Sequence, residues 1–228
     1  MKKIINGIKK FYKQNKFEKV VIGLSGGIDS SVCAALLVKA LGADHVIGVY
    51  LPNNNMNDLA DVEALCKHLK IDFIINNIAT PVIAISKNFS YRLSLANIAS
   101  RVRMTYLYAY ANENKGFVCG TTNYLEYQLG YFTKFGDGAC DLEPIISLYK
   151  SDIYKLGKEF KLPLSIMTRA PSAGLWPNQT DEEEMGVTYD EIEKYFKKQK
   201  ISDKSRKIIQ NYIKVSEHKR KLPFALYA

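Results

Sequence analysis

The segment Gly23-Leu24-Ser25-Gly26-Gly27-Ile28-Asp29-Ser30-Ser31 gathers the residue types needed to hold a polyanion. Two adjacent glycines accept backbone angles closed to other residues, so their N–H groups can converge on one point. A helix starting here would aim its unpaired first-turn N–H groups and its dipole at that point. The hydroxyls of Ser25, Ser30 and Ser31 add donors. Asp29 repels a phosphate unless a cation lies between them, and a hard oxygen ligand beside a phosphate cradle points to Mg²⁺. The spacing is not that of the kinase-type P-loop, because Ile28 stands where that loop has Lys. Nor does it have the three spaced glycines of the dinucleotide fingerprint.

The flanking residues supply the elements such a loop requires. Lys19-Val20-Val21-Ile22 reads as a strand, and Val32 to Leu41 is compatible with a helix. His45 to Leu51 is a second strand of the buried type. Asn57 or Asp58 can cap a helix in which Leu59, Val62, Leu65, Cys66 and Leu69 share a face. Asp72 to Ile75 is a third strand, Leu93 to Asn112 a longer helix and Gly116 to Gly120 a fourth strand. This alternation implies an α/β fold, a parallel sheet with helices on both faces. Ligands of such sheets bind beyond the strand C-terminal ends, where Gly23–Ser31 and Gly120–Asn123 both lie. Thr121 to Gly138 reads as a long loop and Lys150 to Phe160 as a helix. Arg169 to Pro177 is a second extended segment. Asp181–Met185, Tyr189–Lys198 and Asp203–Glu217 form a helical C-terminal addition. At the other end, Ile4, Ile5, Ile8, Phe11 and Tyr12 mark an amphipathic first helix.

The chain of 228 residues is expected to form one domain, 1–228. Its N-terminus is too polar for a signal core, and no apolar run is long enough to cross a membrane. Cys33, Cys66, Cys119 and Cys140 are not paired at metal-ligand spacing, which fits free thiols in a cytoplasmic protein. His45, His68 and His218 are scattered, so zinc is not expected. The net charge of +9 suits a substrate with several phosphates. The lysine-rich stretch from Lys194 to Lys221 reads as a solvated helical face.

The loop resembles the SGGxDS loop of the ATP pyrophosphatases, which cut ATP between its α and β phosphates. Further motifs narrow the resemblance. Gly120-Thr121-Thr122-Asn123, Glu126 and Gly130 to Gly138 look like the second signature of the NAD synthetases. Arg101 and Arg103-Met104 precede it. Asp141, Pro144, Lys150, Arg169-Ala170-Pro171-Ser172-Ala173, Gln179 to Glu182 and His218-Lys219-Arg220 follow in order. The match runs from about Val20 to Pro223. It implies a Rossmann-like, adenine nucleotide alpha hydrolase-like fold. The implied activity is ATP-dependent amidation of nicotinate adenine dinucleotide by ammonia, giving NAD, AMP and pyrophosphate through a substrate adenylate.

The resemblance assigns roles position by position. Gly23, Leu24, Ser25, Gly26, Gly27, Ile28, Asp29 and Ser30 match the ATP cradle; Thr121, Lys150 and Ser172 match further ATP contacts. Asp29 and Glu126 match the Mg²⁺ ligands. Arg101, Lys134, Asp141, His218 and Lys219 match the dinucleotide contacts, and Asp141 is the candidate for deprotonating ammonium. Read without the family, Arg101 and Arg103 would be solvated surface, and Lys150 would sit against the dipole of its helix, which favours an anion partner. Tyr124-Leu125 stand where the family often has a small polar pair, and Gly174 where many members have Asp. The match leaves no room for a glutaminase domain, so ammonia is the expected nitrogen source. Family likeness also implies a homodimer, with the helix from Leu93 to Tyr110 and its Tyr106, Tyr108 and Tyr110 as candidate interface. A tRNA-modifying ATP pyrophosphatase would share the first loop but should add a thiol-transfer cysteine or an RNA domain, and neither is seen. A basic RNA-binding module would not need Asp29 and Glu126, so neither nucleic acid nor a membrane is an expected partner.

Overall fold

The computed structural model describes residues 1–169 and 180–226. Four parallel strands form the sheet: β1 (Lys19–Gly23), β2 (Val46–Tyr50), β3 (Asp72–Ile75) and β4 (Gly116–Cys119). Their order is β3-β2-β1-β4, with Val21 beside both Ile47 and Val118. The chain therefore steps outward from β1 through β2 to β3, then returns to the other side of β1. That reversal opens a crevice beyond the C-terminal ends of β1 and β4. Leu142 extends the sheet by one parallel bridge to Cys119.

Strand side chains alternate between two apolar layers. Val20, Ile22, Phe117 and Cys119 face α1 (Lys2–Gln14), α2 (Ile28–Leu41), α3 (Leu59–Leu69), α7 (Lys150–Glu159) and α8 (Leu164–Thr168). Val21, Val49 and Val118 face α4 (Ala79–Ser86) and α5 (Arg92–Glu113). The amphipathic stripe of α1 docks as its spacing requires, with Ile8 buried. Phe11 and Phe17 close on Phe117 with ring centroids 5.2 and 5.0 Å away.

The remaining helices form a third cluster. Leu125 and Leu129 of α6 (Tyr124–Leu129) pack with Met185 of α9 (Asp181–Met185), Ile192 of α10 (Tyr189–Phe196) and Ile209 of α11 (Asp203–Val215). Short 3₁₀ turns at Ala43–His45 and Glu217–Arg220 complete the elements. The stretch 121–138, read as a loop, thus contains a helix. Its Asn123 closes a capping box with Glu126, a local signal for a helix start. Leu125, in place of the family's small polar pair, is fully buried and anchors the C-terminal helices. Helix α4 escaped the sequence reading.

Phe117 is 1% exposed and joins the sheet to α1. Phe117→Ala is expected to cost about 3–5 kcal/mol, lowering the urea midpoint at an unchanged slope.

Candidate active site

The glycine loop connects β1 to α2. Gly26 has φ +73°, a conformation that disfavours any side chain. Gly27 is the N-cap of α2 and offers no side chain to the helix end, which leaves first-turn N–H groups facing the crevice. The serines serve the loop itself. Ser30 and Ser31 are buried and donate their hydroxyls to Gly27 O at 3.1 and 2.7 Å. Ser25 Oγ accepts Gly27 N–H at 3.3 Å. The hydroxyls expected to face an anion instead hold the turn in shape. Leu24 and Ile28 are buried in the core on either side.

Three charges converge beside this loop. Asp29, in the first turn of α2, lies 2.5 Å from Lys150 Nζ at the start of α7. Glu126, on α6, lies 3.8 Å from the same ammonium. All three side chains are largely buried; that of Lys150 is 6% exposed. Burial alone would lower the Lys150 pKa, but Asp29 and Glu126 overcome this and hold it above the usual lysine value. Burial and the Asp29 carboxylate push Glu126 up to about 8, against the pull of Lys150. The expectation that Lys150 needs an anion partner is met by Asp29.

Around these groups stand Asn123, named in the sequence only as part of a motif and given no role, and Tyr189, which the sequence does not mark as a site residue. Asn123 is fully buried; its Oδ1 accepts the N–H groups of Leu125 and Glu126, and its Nδ2 donates to Asp29 Oδ1 at 3.2 Å. One side chain thus caps α6 and ties it to α2. The Tyr189 phenol lies within hydrogen-bonding distance of Asp181 Oδ2 at 2.9 Å and of Glu126 Oε1 at 3.2 Å, with its one proton to share between them. Its ring lies 4.8 Å below Lys150 Nζ. No local pattern marks Tyr189, because its partners come from other helices; the Asn-x-x-Glu capping signal could have found Asn123.

Asp29 and Glu126 are hard oxygen donors of the kind Mg²⁺ prefers. Among the described residues no group of three or more His, Cys, Asp or Glu side chains converges on one point. Both carboxylates face the same point beside the loop, which suits an ion whose shell is completed by phosphate oxygens and water, as Mg²⁺ sites commonly are.

A second constellation lies along α5 and the Glu217–Arg220 turn. Arg101 Nη2 donates to Lys134 O at 3.3 Å, and Lys134 Nζ donates to His218 O at 2.6 Å. Lys219 Nζ donates to Gly130 O and Phe132 O, both at 2.7 Å. Burial lowers the pKa of Lys219, opposed by Asp137. The structure thus brings Arg101, Lys134, His218 and Lys219 together. It places Asp141 apart, at the sheet edge, where the carboxylate accepts Val118 N–H at 2.8 Å and the Tyr108 phenol at 3.3 Å. Thr133 bonds Asn97, and Asp137 bonds Ser100, which fastens the 133–138 turn to α5. Arg103 is not a solvated surface residue: it is partly buried, and its Nε donates to Leu51 O at 3.0 Å. Thr121 is half-buried, two residues beyond the end of β4. Ser172, Gly174 and Gln179, with the rest of the motif after Arg169, lie outside the described residues.

Glu143 sits under the Gly120–Asn123 turn. Its carboxylate accepts Thr122 N–H and the Cys140 thiol, both at 3.2 Å. Burial pushes its pKa up to about 7, against those two hydrogen bonds. Between about 4.5 and about 7 the folded chain holds a proton there that the unfolded chain has lost, so stability from this group falls as pH rises through that window. Glu143→Gln removes the titration. Urea unfolding should show the variant gaining about 1–3 kcal/mol on the parent between about pH 5 and about pH 8. An unchanged difference would disprove the burial effect.

The family model for NAD synthase matches residues 1–223. The NH(3)-dependent NAD(+) synthetase of Pyrococcus furiosus is 39% identical over 97% of this chain and 93% of its own. The solved structure of NMN synthetase from Francisella tularensis is similar with a TM-score of 0.93 and 41% identity, over 99% of this chain and 96% of its own. NH3-dependent NAD synthetase from Campylobacter jejuni, in complex with the nitrate ion, is similar with a TM-score of 0.83 and 32% identity, over the same shares.

Proposed function

The chain belongs to the NAD synthase family, and we infer that the buried Asp29–Lys150–Glu126 constellation beside the glycine loop serves the first half of that family's reaction. The enzyme is a ligase that forms a C–N bond. It amidates nicotinate adenine dinucleotide with ammonia at the expense of ATP, giving NAD, AMP and pyrophosphate. The observation that carries the site assignment is the convergence of the three charges at the crevice where the sheet order reverses.

A carboxylate is a poor electrophile because an oxide-like group would have to leave. A nicotinate oxygen attacks the α phosphorus of ATP, the bond to the β-phosphate oxygen breaks, and pyrophosphate leaves with those electrons. Ammonia then attacks the carbonyl carbon of the adenylate, AMP departs with the bonding pair, and the nitrogen loses a proton. The loop N–H groups hold the polyphosphate, and the Lys150 ammonium offsets the charge that grows on the leaving pyrophosphate. Asp29 and Glu126 would hold Mg²⁺, which when bound neutralises phosphate charge. Thr121 and Ser172 add hydroxyl contacts to ATP. Arg101, Lys134, His218 and Lys219 bind the dinucleotide, with Lys219 also shaping the 130–132 turn. Asp141, held at the sheet edge by Val118 N–H and the Tyr108 phenol, keeps a lone pair on each oxygen for ammonium. Direct use of ammonia is supported by relatives of matching length whose names specify it. Four unpaired thiols, three of them buried, suit a reducing cytoplasm, and among the described residues no helix is long and apolar enough to cross a membrane.

A second substrate reading rests on the fit to the Francisella NMN synthetase. Nicotinate mononucleotide carries the same carboxylate and lacks only the AMP half. Purified protein with Mg-ATP, ammonium and either acid, followed for amide, AMP and pyrophosphate, separates the two by kcat/KM. Matched formation of all three products is expected. Asp29→Ala and Glu126→Ala should each lower pyrophosphate release by about 10²-fold or more without loss of the folded signal. Near-normal turnover in either would remove the metal assignment.

The assembly is proposed to be a homodimer. Ile83, Ile85, Phe89, Tyr91 and Leu93 are exposed on α4, at the start of α5 and between them, an apolar face that calls for a partner. The tyrosines further along α5 instead pack partly against the sheet. Phe89→Glu should weaken the dimer by about 30-fold or more, read as a shift toward monomer mass in light scattering. A parent protein that is monomeric at every concentration would refute the assembly.

A further inference from the structure

The side of the glycine loop away from Lys150 carries a second cation that the mechanism above does not use. Arg169 follows α8, and its Nη2 lies 2.5 Å from Asp58 Oδ1 while its Nη1 lies 3.4 Å from Asp61 Oδ2. Asp58 is the N-cap of α3, yet its side chain makes no cap hydrogen bond, so its carboxylate is left to the guanidinium. A Cβ built on Gly26 would lie 3.2 Å from Arg169 Nη1 and 3.1 Å from Asp58 Cβ. The guanidinium and the acid therefore touch the phosphate-binding turn itself. Arg169 and Asp58 both keep about 30% of their side-chain surface exposed, enough to reorient.

Two carboxylates beside an anion cradle would repel its ligand, and Arg169 offsets part of that charge. A guanidinium is a planar fork of five donors that matches phosphate as well as carboxylate, and its charge does not titrate away. A bound polyphosphate brings more negative charge to the loop than the two acids together. We propose that Arg169 is a switching phosphate ligand: Asp58 and Asp61 hold it while the loop is empty, and it turns onto the terminal phosphates of ATP, and onto pyrophosphate, when the loop fills. The two acids then reclaim it as pyrophosphate leaves, which keeps the product from binding too tightly. The inference rests on the ATP reading of the loop.

Calorimetric titration of the full chain with magnesium pyrophosphate, and separately with AMP, tests the switch. Arg169→Gln should weaken pyrophosphate binding by about 10- to 100-fold and leave AMP within about twofold. Asp58→Asn with Asp61→Asn should do the opposite, tightening pyrophosphate several-fold, at about threefold or more. In the Arg169→Gln background the same pair should no longer tighten it. Tightening that persists there would be a general charge effect and would overturn the proposal. An ion pair that only braces α8 against α3 predicts lower thermal midpoints in both variants, with pyrophosphate and AMP affected alike; that result also overturns it. If Arg169→Gln fails to fold, the double asparagine variant decides, because unchanged or weaker pyrophosphate binding refutes the switch. A parent chain that binds neither ATP nor pyrophosphate strikes the ATP reading and this inference with it. A parent that binds both, with Arg169→Gln unaffected, strikes this inference alone.

Discussion

The ammonium of Lys150 is buried, and a buried ammonium is stable only where opposite charges meet it at hydrogen-bonding distance. That constraint organises the crevice. Asp29 comes from the start of α2, Glu126 from α6 and Lys150 from the start of α7. Three elements that follow different segments of the chain must therefore be seated within about one side-chain length of each other. Removing either acid still leaves the ammonium one carboxylate; removing the lysine leaves two carboxylates facing each other. The same cluster is thus a structural joint and the chemically poised part of the site.

The sheet order makes this meeting possible. Because β4 returns to the far side of β1, the two strand ends that launch α2 and α6 are neighbours, and their connections diverge to leave an open cleft. Asn123 bridges the cleft floor by capping one helix and bonding the acid of the other. Helix α6 is short and could not hold Glu126 alone. Its Leu125 and Leu129 are the face on which the C-terminal helices pack. Those helices return Tyr189 to Glu126 and place its ring against Lys150. The C-terminal addition therefore supports the Asp29–Lys150–Glu126 cluster rather than standing as an appendage.

Much of this was legible in the residues. The strand spans needed only end adjustments, and the alternation of strand and helix set the parallel sheet. The glycine pair and Asp29 located the cleft because their chemistry is local: a positive φ, free helix N–H groups and a carboxylate lie within one short stretch. The charge mismatch of Lys150 with its own helix dipole pointed to an anion. What failed to show were contacts between distant elements. Arg103 looks like surface when read on α5 alone, yet Leu51, the residue after β2, supplies the carbonyl that holds it. The serines look like anion donors in the loop sequence, yet the turn they sit in folds their hydroxyls back on Gly27.

The sequence by itself determined the class of fold, the position of the glycine loop and the candidate residues of the chemistry, because these follow from local geometry and from spacing along one strand or helix. Only the tertiary structure decided which charges neutralise which. It joined Asp29 to Lys150 and Glu126, set Tyr189 against both, parked Arg169 on Asp58 and Asp61, and separated Asp141 from the Arg101–Lys134–His218–Lys219 group. The physical reason is range. Backbone preference acts over a few residues, whereas a buried charge is governed by whatever the fold brings within a few ångströms, however far away it lies in the chain.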